Sequence, residues 1–88
     1  MVTQSEQRDM DALCRRLEKT LFDKHGPIIG GTELYIALGF SSASAFRQAV
    51  RRKTIPNIVF SLESRKGKFA LTFDVAEWLA KQKYKTTE

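Results

Sequence analysis

The sequence predicts a single small α+β domain with elements in the order α-α-α-β-β-α, and three observations carry that reading. Apolar residues recur at helical spacing through the first half of the chain, which is the signature of helices with one buried face. Beyond Pro56 the apolar period falls from 3.6 to 2, as it does in half-buried strands. The third is size: 88 residues and 10.0 kDa suffice for one hydrophobic core and not for two. Hydrophobic residues make up 42% of the chain and charged ones 28%. That is ordinary globular usage, and it excludes a disordered, collagen-like or disulfide-stapled protein.

The first element runs from Ser5 to about Lys24, within a helical region spanning 5–25. Met10, Leu13, Cys14, Leu17 and Leu21 form one stripe, with Phe22 beside it. Gly26 can take the left-handed cap conformation and Pro27 cannot continue the helix, so the stop is defined. Ile28, Ile29, Gly30 and Gly31 read as a connector, and Thr32 as the cap of a short helix through Leu34, Tyr35 and Leu38 that ends at Gly39. After Phe40, Ser41 or Ser42 offers a hydroxyl to the free N–H groups of a further helix through Phe46, Ala49 and Val50 to about Arg52. Pro56 forbids helix at its own position and pushes Ile55 towards an extended conformation.

Two strands follow. Ile58, Phe60 and Leu62 would pair with Phe73, Leu71 and Phe69 respectively, which puts all six large side chains on one face of a hairpin. Its tip, Ser64-Arg65-Lys66-Gly67, is basic, and Gly67 supplies the positive φ such loops need. Asp74 with Glu77 reads as a capping box opening a last helix, with Val75, Trp78 and Leu79 on one face. Lys81, Lys83 and Lys85 then form a polar tail. The lone Cys14 has no disulfide partner, no run reaches the roughly 18 apolar residues of a membrane span, and Met1–Asp11 carries no export or transit pattern. A reduced, soluble, cytoplasmic protein with no membrane partner is expected.

Charge points to the partner. Lys+Arg 15 against Asp+Glu 10 gives +5, and the excess lies entirely in residues 41–88. A positive face concentrates polyanions, of which nucleic acid is the commonest inside cells. The inventory for catalysis is thin: Cys14 sits on an apolar stripe, His25 is the only histidine, and the acidic residues of the first helix are interleaved with Arg and Lys, as on a solvated face. Gly30-Gly31 lacks the rest of a phosphate-loop pattern. No enzyme activity, cofactor or metal is expected.

Two short helices joined by a tight turn can set the second into the major groove of DNA. Ser42, Ser44, Ala45, Arg47, Gln48 and Arg51 would then face outwards, with Phe46, Ala49 and Val50 inwards. Arg47 suits a guanine edge and Gln48 an adenine edge, while the serines and the helix N-terminus suit phosphate. Arg51-Arg52-Lys53 would meet phosphates at the helix end. A basic hairpin beside such a helix is a wing able to touch phosphates or the minor groove, so the expected fold is a winged helix-turn-helix, and its expected partner is double-stranded DNA.

From Thr32 to Gln82 the chain resembles the excisionase and MerR-type winged helix-turn-helix family. The resemblance rests on Leu38-Gly39-Phe40, the serine-rich turn Ser41-Ser42-Ala43-Ser44, the basic run into Ile55-Pro56, the hairpin, and the helix Asp74-Val75-Ala76-Glu77-Trp78-Leu79. It departs from the family at Tyr35, where a small residue is usual, and at Lys53, where a glycine often ends the recognition helix. The resemblance implies a small plasmid-, phage- or mobile-element-type regulator of transcription or an architectural excision factor. DNA reading would fall on Ser44, Ala45, Arg47, Gln48 and Arg51, and the wing role on Arg65, Lys66 and Lys68. The N-terminal helix lies outside the resemblance; its stripe either packs on the domain or joins a second copy in a homodimer. A protein-interaction module on the same scaffold is the alternative function, since folds do not fix function.

Overall fold

The computed structural model describes residues 4–85. It is an α+β protein with four helices and a two-stranded antiparallel sheet: α1 (Gln4–His25), β1 (Ile28–Gly30), α2 (Gly31–Ala37), α3 (Ala43–Arg52), β2 (Phe69–Leu71) and α4 (Thr72–Lys85). The order is therefore α-β-α-α-β-α rather than the expected α-α-α-β-β-α. The chain divides into two units, one made of the segments flanking residues 28–71 and the other of Ile28–Leu71 itself.

The first unit is a helical pair. Gly26, at φ 77°, ends α1 with its N–H on the Phe22 carbonyl at 2.8 Å, as Gly26-Pro27 foretold. The Thr72 N–H and hydroxyl both donate to the Pro27 carbonyl, at 3.0 and 3.2 Å, which ties the start of α4 to the end of α1. This corrects the Asp74/Glu77 capping box: Asp74 lies inside the first turn, and Thr72 opens the helix two residues earlier. The helices run antiparallel, with Phe22 stacked on Phe73 at 5.8 Å at one end and Met10 and Cys14 beside Ala80 further along. The stripe of α1 thus packs intramolecularly against α4 and is half-buried throughout. Val75, Ala76 and Ala80 are buried and Trp78 is half-buried. Helix α4 extends to Lys85, so the Lys81–Lys85 stretch is helical rather than a loose tail.

The second unit holds the sheet. Ile28-Ile29-Gly30 is a strand, not a connector, and pairs Ile28 with Leu71, Ile29 with Ala70 and Gly30 with Phe69. Alternation across the pair buries Ile29 and Ala70 and leaves Ile28 and Leu71 on the open face. Gly30 must be small here, because a Cβ would fall 2.4 Å from the Phe69 ring. The proposed hairpin survives only as one antiparallel bridge between Phe60 and Phe69, with both backbone hydrogen bonds made, at 2.7 and 2.8 Å. Phe60 therefore meets Phe69 and not Leu71, a slip of two residues. Ile58 and Leu62 lie in turns, and Phe73 lies in α4. The physical reason is that β1 pairs along the other edge of β2, and that ladder ends at the Thr72 N–H to Pro27 carbonyl bond: Pro27 has no N–H to return it, and α4 begins at Thr72, before Phe73 can extend the strand.

Helix α2 starts from Gly30 with no side-chain cap, so Thr32 sits within the first turn instead of capping it. It packs on β1, β2 and α3, with Leu34 and Leu38 buried. Gly39, at φ 93°, ends it: Phe40 N–H reaches the Tyr35 carbonyl and Gly39 N–H that of Ile36, the paired bonds of a Schellman stop. Ser42 caps α3, its hydroxyl oxygen accepting from Ala45 N–H at 3.0 Å. At the other end Lys53 adopts φ 58°, and the N–H groups of Lys53 and Thr54 bond to Val50 and Ala49. Lys53 thus does a glycine's work with a side chain that disfavours it. Lys53→Gly is expected to raise stability by about 0.5–1 kcal/mol, the relief of left-handed strain less the entropy glycine gains when unfolded. A urea midpoint that stays put or falls would contradict this.

Candidate functional site

The second unit carries the whole charge excess. Residues 28–71 hold seven basic and two acidic side chains, a net of +5, whereas the remaining residues hold eight of each. The sequence count over residues 41–88 blurred this by including the lysines of α4.

Helix α3 presents Ser44, Arg47, Gln48, Arg51 and Arg52 to solvent. At 100° per residue these occupy one arc of less than half the helix, and α3 contains no acidic residue. Ala49 points inwards and is buried; Ala45 is half-buried, at the edge of the arc. Ser42 and Lys53, at the two ends, are exposed. Among the described residues, neither Arg47 nor Arg51 has an ion pair, so both guanidinium groups keep their full donor capacity. The Ser42 hydroxyl, whose oxygen already accepts from the backbone, still has a proton to give.

Between Phe60 and Phe69 the chain makes a basic loop. It turns at Leu62–Arg65, with Ser64 at φ 64°, and again at Gly67, at φ 97°. Two of its three cations are held. The Arg65 guanidinium lies over the Phe69 ring, 5.2 Å from its centroid, a cation–π arrangement, and Lys68 Nζ donates to Ser61 Oγ at 3.1 Å. Lys66 is exposed.

A cleft of about 560 Å³ joins the two elements. Arg47 and Arg51 line it from α3, and Lys68 from the loop, over a floor that includes Tyr35, Phe46 and Val50. Tyr35 stacks on Phe46 at 6.3 Å, and Phe40 meets Phe46 edge-on at 5.5 Å. Of the residues singled out in the sequence, Arg47, Arg51 and Lys68 are brought together here, while Ser44, Gln48 and Arg52 lie on the open arc and Lys66 lies outside the cleft lining. Sequence reasoning missed the floor, taking Phe46 and Val50 as core. The signal was Tyr35, a bulky ring where a tight helix crossing takes a small residue.

Elsewhere the chemistry is quiet. Cys14 is half-buried and donates to Glu18 Oε1 at 3.4 Å; burial and then the Glu18 bond raise its thiol from 9.0 to about 11. It stays protonated, and hence a weak nucleophile, at neutral pH. Among the described residues no group of three His, Cys, Asp or Glu side chains could hold a metal ion, and no helix is long and apolar enough to cross a membrane. In comparison with known proteins, no family model, curated protein or solved structure matches this chain.

Proposed function

We propose that the protein binds double-stranded DNA as a winged helix-turn-helix, with α3 in the major groove and the Phe60–Phe69 loop as a short wing. The observation that carries the reading is the arc of α3: three arginines, a glutamine and a serine, all exposed, with no carboxylate on the helix. Such a surface is costly in self-repulsion unless a polyanion neutralises it. Arg47 and Gln48 read base edges, Ser42 and Ser44 with the helix N-terminus hold phosphate, and Arg51, Arg52, Lys53 and Lys66 add phosphate contacts. Arg65 and Lys68 serve mainly to shape the wing. The role this supports is that of a small transcriptional regulator or architectural excision factor of the excisionase or MerR type.

With about four phosphates neutralised, the slope of log affinity against log salt should be roughly −3 to −4. Fluorescence anisotropy on a labelled duplex across a salt series measures it, and a flat response removes the proposal. Selection of bound duplexes from a random pool then gives the preferred sequence.

One observation favours a second reading. Phe22 and Phe73, stacked on the helical pair, are 42% and 48% exposed, and exposed aromatic pairs are characteristic of protein contacts. On that reading the helical pair joins a partner protein or a second copy of the chain, alone or in addition to DNA. Mass by size exclusion with light scattering, with and without duplex, separates the cases.

A further inference from the structure

We propose that the cleft between α2, α3 and Gly67-Lys68 binds a small planar arene carrying a carboxylate, and that this ligand competes with DNA for Arg47 and Arg51. The competition rests on the DNA-binding reading above; the cleft as a site does not.

Size comes first. About 560 Å³ lies within the roughly 300–1,000 Å³ of small-molecule sites and is ample for one or two fused rings. Its chemistry is two-sided. The floor includes the Tyr35 and Phe46 rings, stacked on each other, and the Val50 side chain, none of them fully buried, so aromatic and aliphatic surface is there to be covered. Arg47 and Arg51, four residues apart on one helix face, share one wall, and Lys68 enters from the loop. A guanidinium receives a carboxylate through two parallel N–H bonds, and neither acidic residue of this unit, Glu33 or Glu63, lines the cleft to occupy it. Lys68 spends one of its three N–H bonds on Ser61 and keeps two.

Charge and floor together select the ligand. A phosphodiester strand would satisfy the cations and leave the aromatic floor in water. A neutral arene would cover the floor and leave the two guanidinium groups beside it without an anionic partner. An arenecarboxylate does both. Because it would use the same two arginines that face DNA, its binding and that of duplex exclude each other, which would make the cleft an effector site.

The test uses 2-naphthoate as probe, followed by ¹⁵N amide shifts of the full chain. Saturable changes confined to the neighbourhoods of Tyr35, Phe46–Arg51 and Gly67-Lys68 are expected, with 2-naphthylmethanol and acetate each binding at least tenfold more weakly. Arg47→Gln and Arg51→Gln, both at exposed positions where folding is kept, should each weaken naphthoate about tenfold, and Lys24→Gln, on α1, should not. Shifts centred on Phe22 and Phe73, equal binding of the alcohol, or indifference to both arginine variants would overturn the site. Saturating naphthoate should release a labelled duplex; naphthoate bound in the cleft with duplex still held would overturn the competition. A protein that binds naphthoate and no duplex at any salt would sink the DNA reading and leave the site standing.

Discussion

Leu34→Ala is expected to destabilise the 28–71 unit by about 2–5 kcal/mol, the range for removing three buried carbons from a core that cannot fully collapse around the gap. Leu34 is 0% exposed and lies on α2, which packs on both strands and on α3. Its loss therefore loosens the packing of α2 against both strands and against α3. For a chain of 88 residues, total stability is about 4–13 kcal/mol, so the change removes a large fraction of it. Urea unfolding followed by circular dichroism reads the effect. Ile36→Ala is the control, since Ile36 sits on the same helix yet is 60% exposed; it should stay within about 0.5 kcal/mol. Equal midpoints for the two variants would mean that α2 is not the keystone of this unit.

What was legible in the sequence was local. The stop of α1 at Gly26-Pro27, the stop of α2 at Gly39 and a serine cap of α3, Ser41 or Ser42 in the sequence and Ser42 in the structure, are each decided within five residues, by one left-handed glycine or one hydroxyl. What was not legible depended on partners distant in the chain. Three residues, Ile28-Ile29-Gly30, are too few to display a period of two, and their partner lies about forty residues away. The alternation Phe69, Leu71, Phe73 continued in sequence past the point where the strand ends, because what stops the ladder is the missing N–H of Pro27, 45 residues from its partner Thr72. The cationic arc of α3 followed from helical periodicity alone. The cleft did not, because it depends on how far the loop after Phe60 folds back, and a single bridge with Phe69 decides that.

Removing Arg47 and Arg51 together separates a reading helix from a surface that is merely basic. Both are exposed and without an ion pair among the described residues, so Arg47→Ala with Arg51→Ala should leave stability within about 0.5 kcal/mol of the parent. Duplex binding should fall by about 2–4 kcal/mol, 30- to 1,000-fold, as two charge-assisted contacts are lost, and the salt slope should flatten by about 1, from the Arg51 phosphate contact. Lys66→Ala offers the contrast: a phosphate contact on the wing, expected to weaken every duplex alike and change the slope by about 1. The two differ in kind as well as size, since loss of Arg47 should also erase preference among sequences while loss of Lys66 preserves it. If both variants scale all duplexes by the same factor, α3 contacts only the backbone and the protein coats DNA without reading it. If the double variant binds as tightly as the parent, α3 lies away from the duplex, and the +5 of this unit must meet its polyanion through the wing alone.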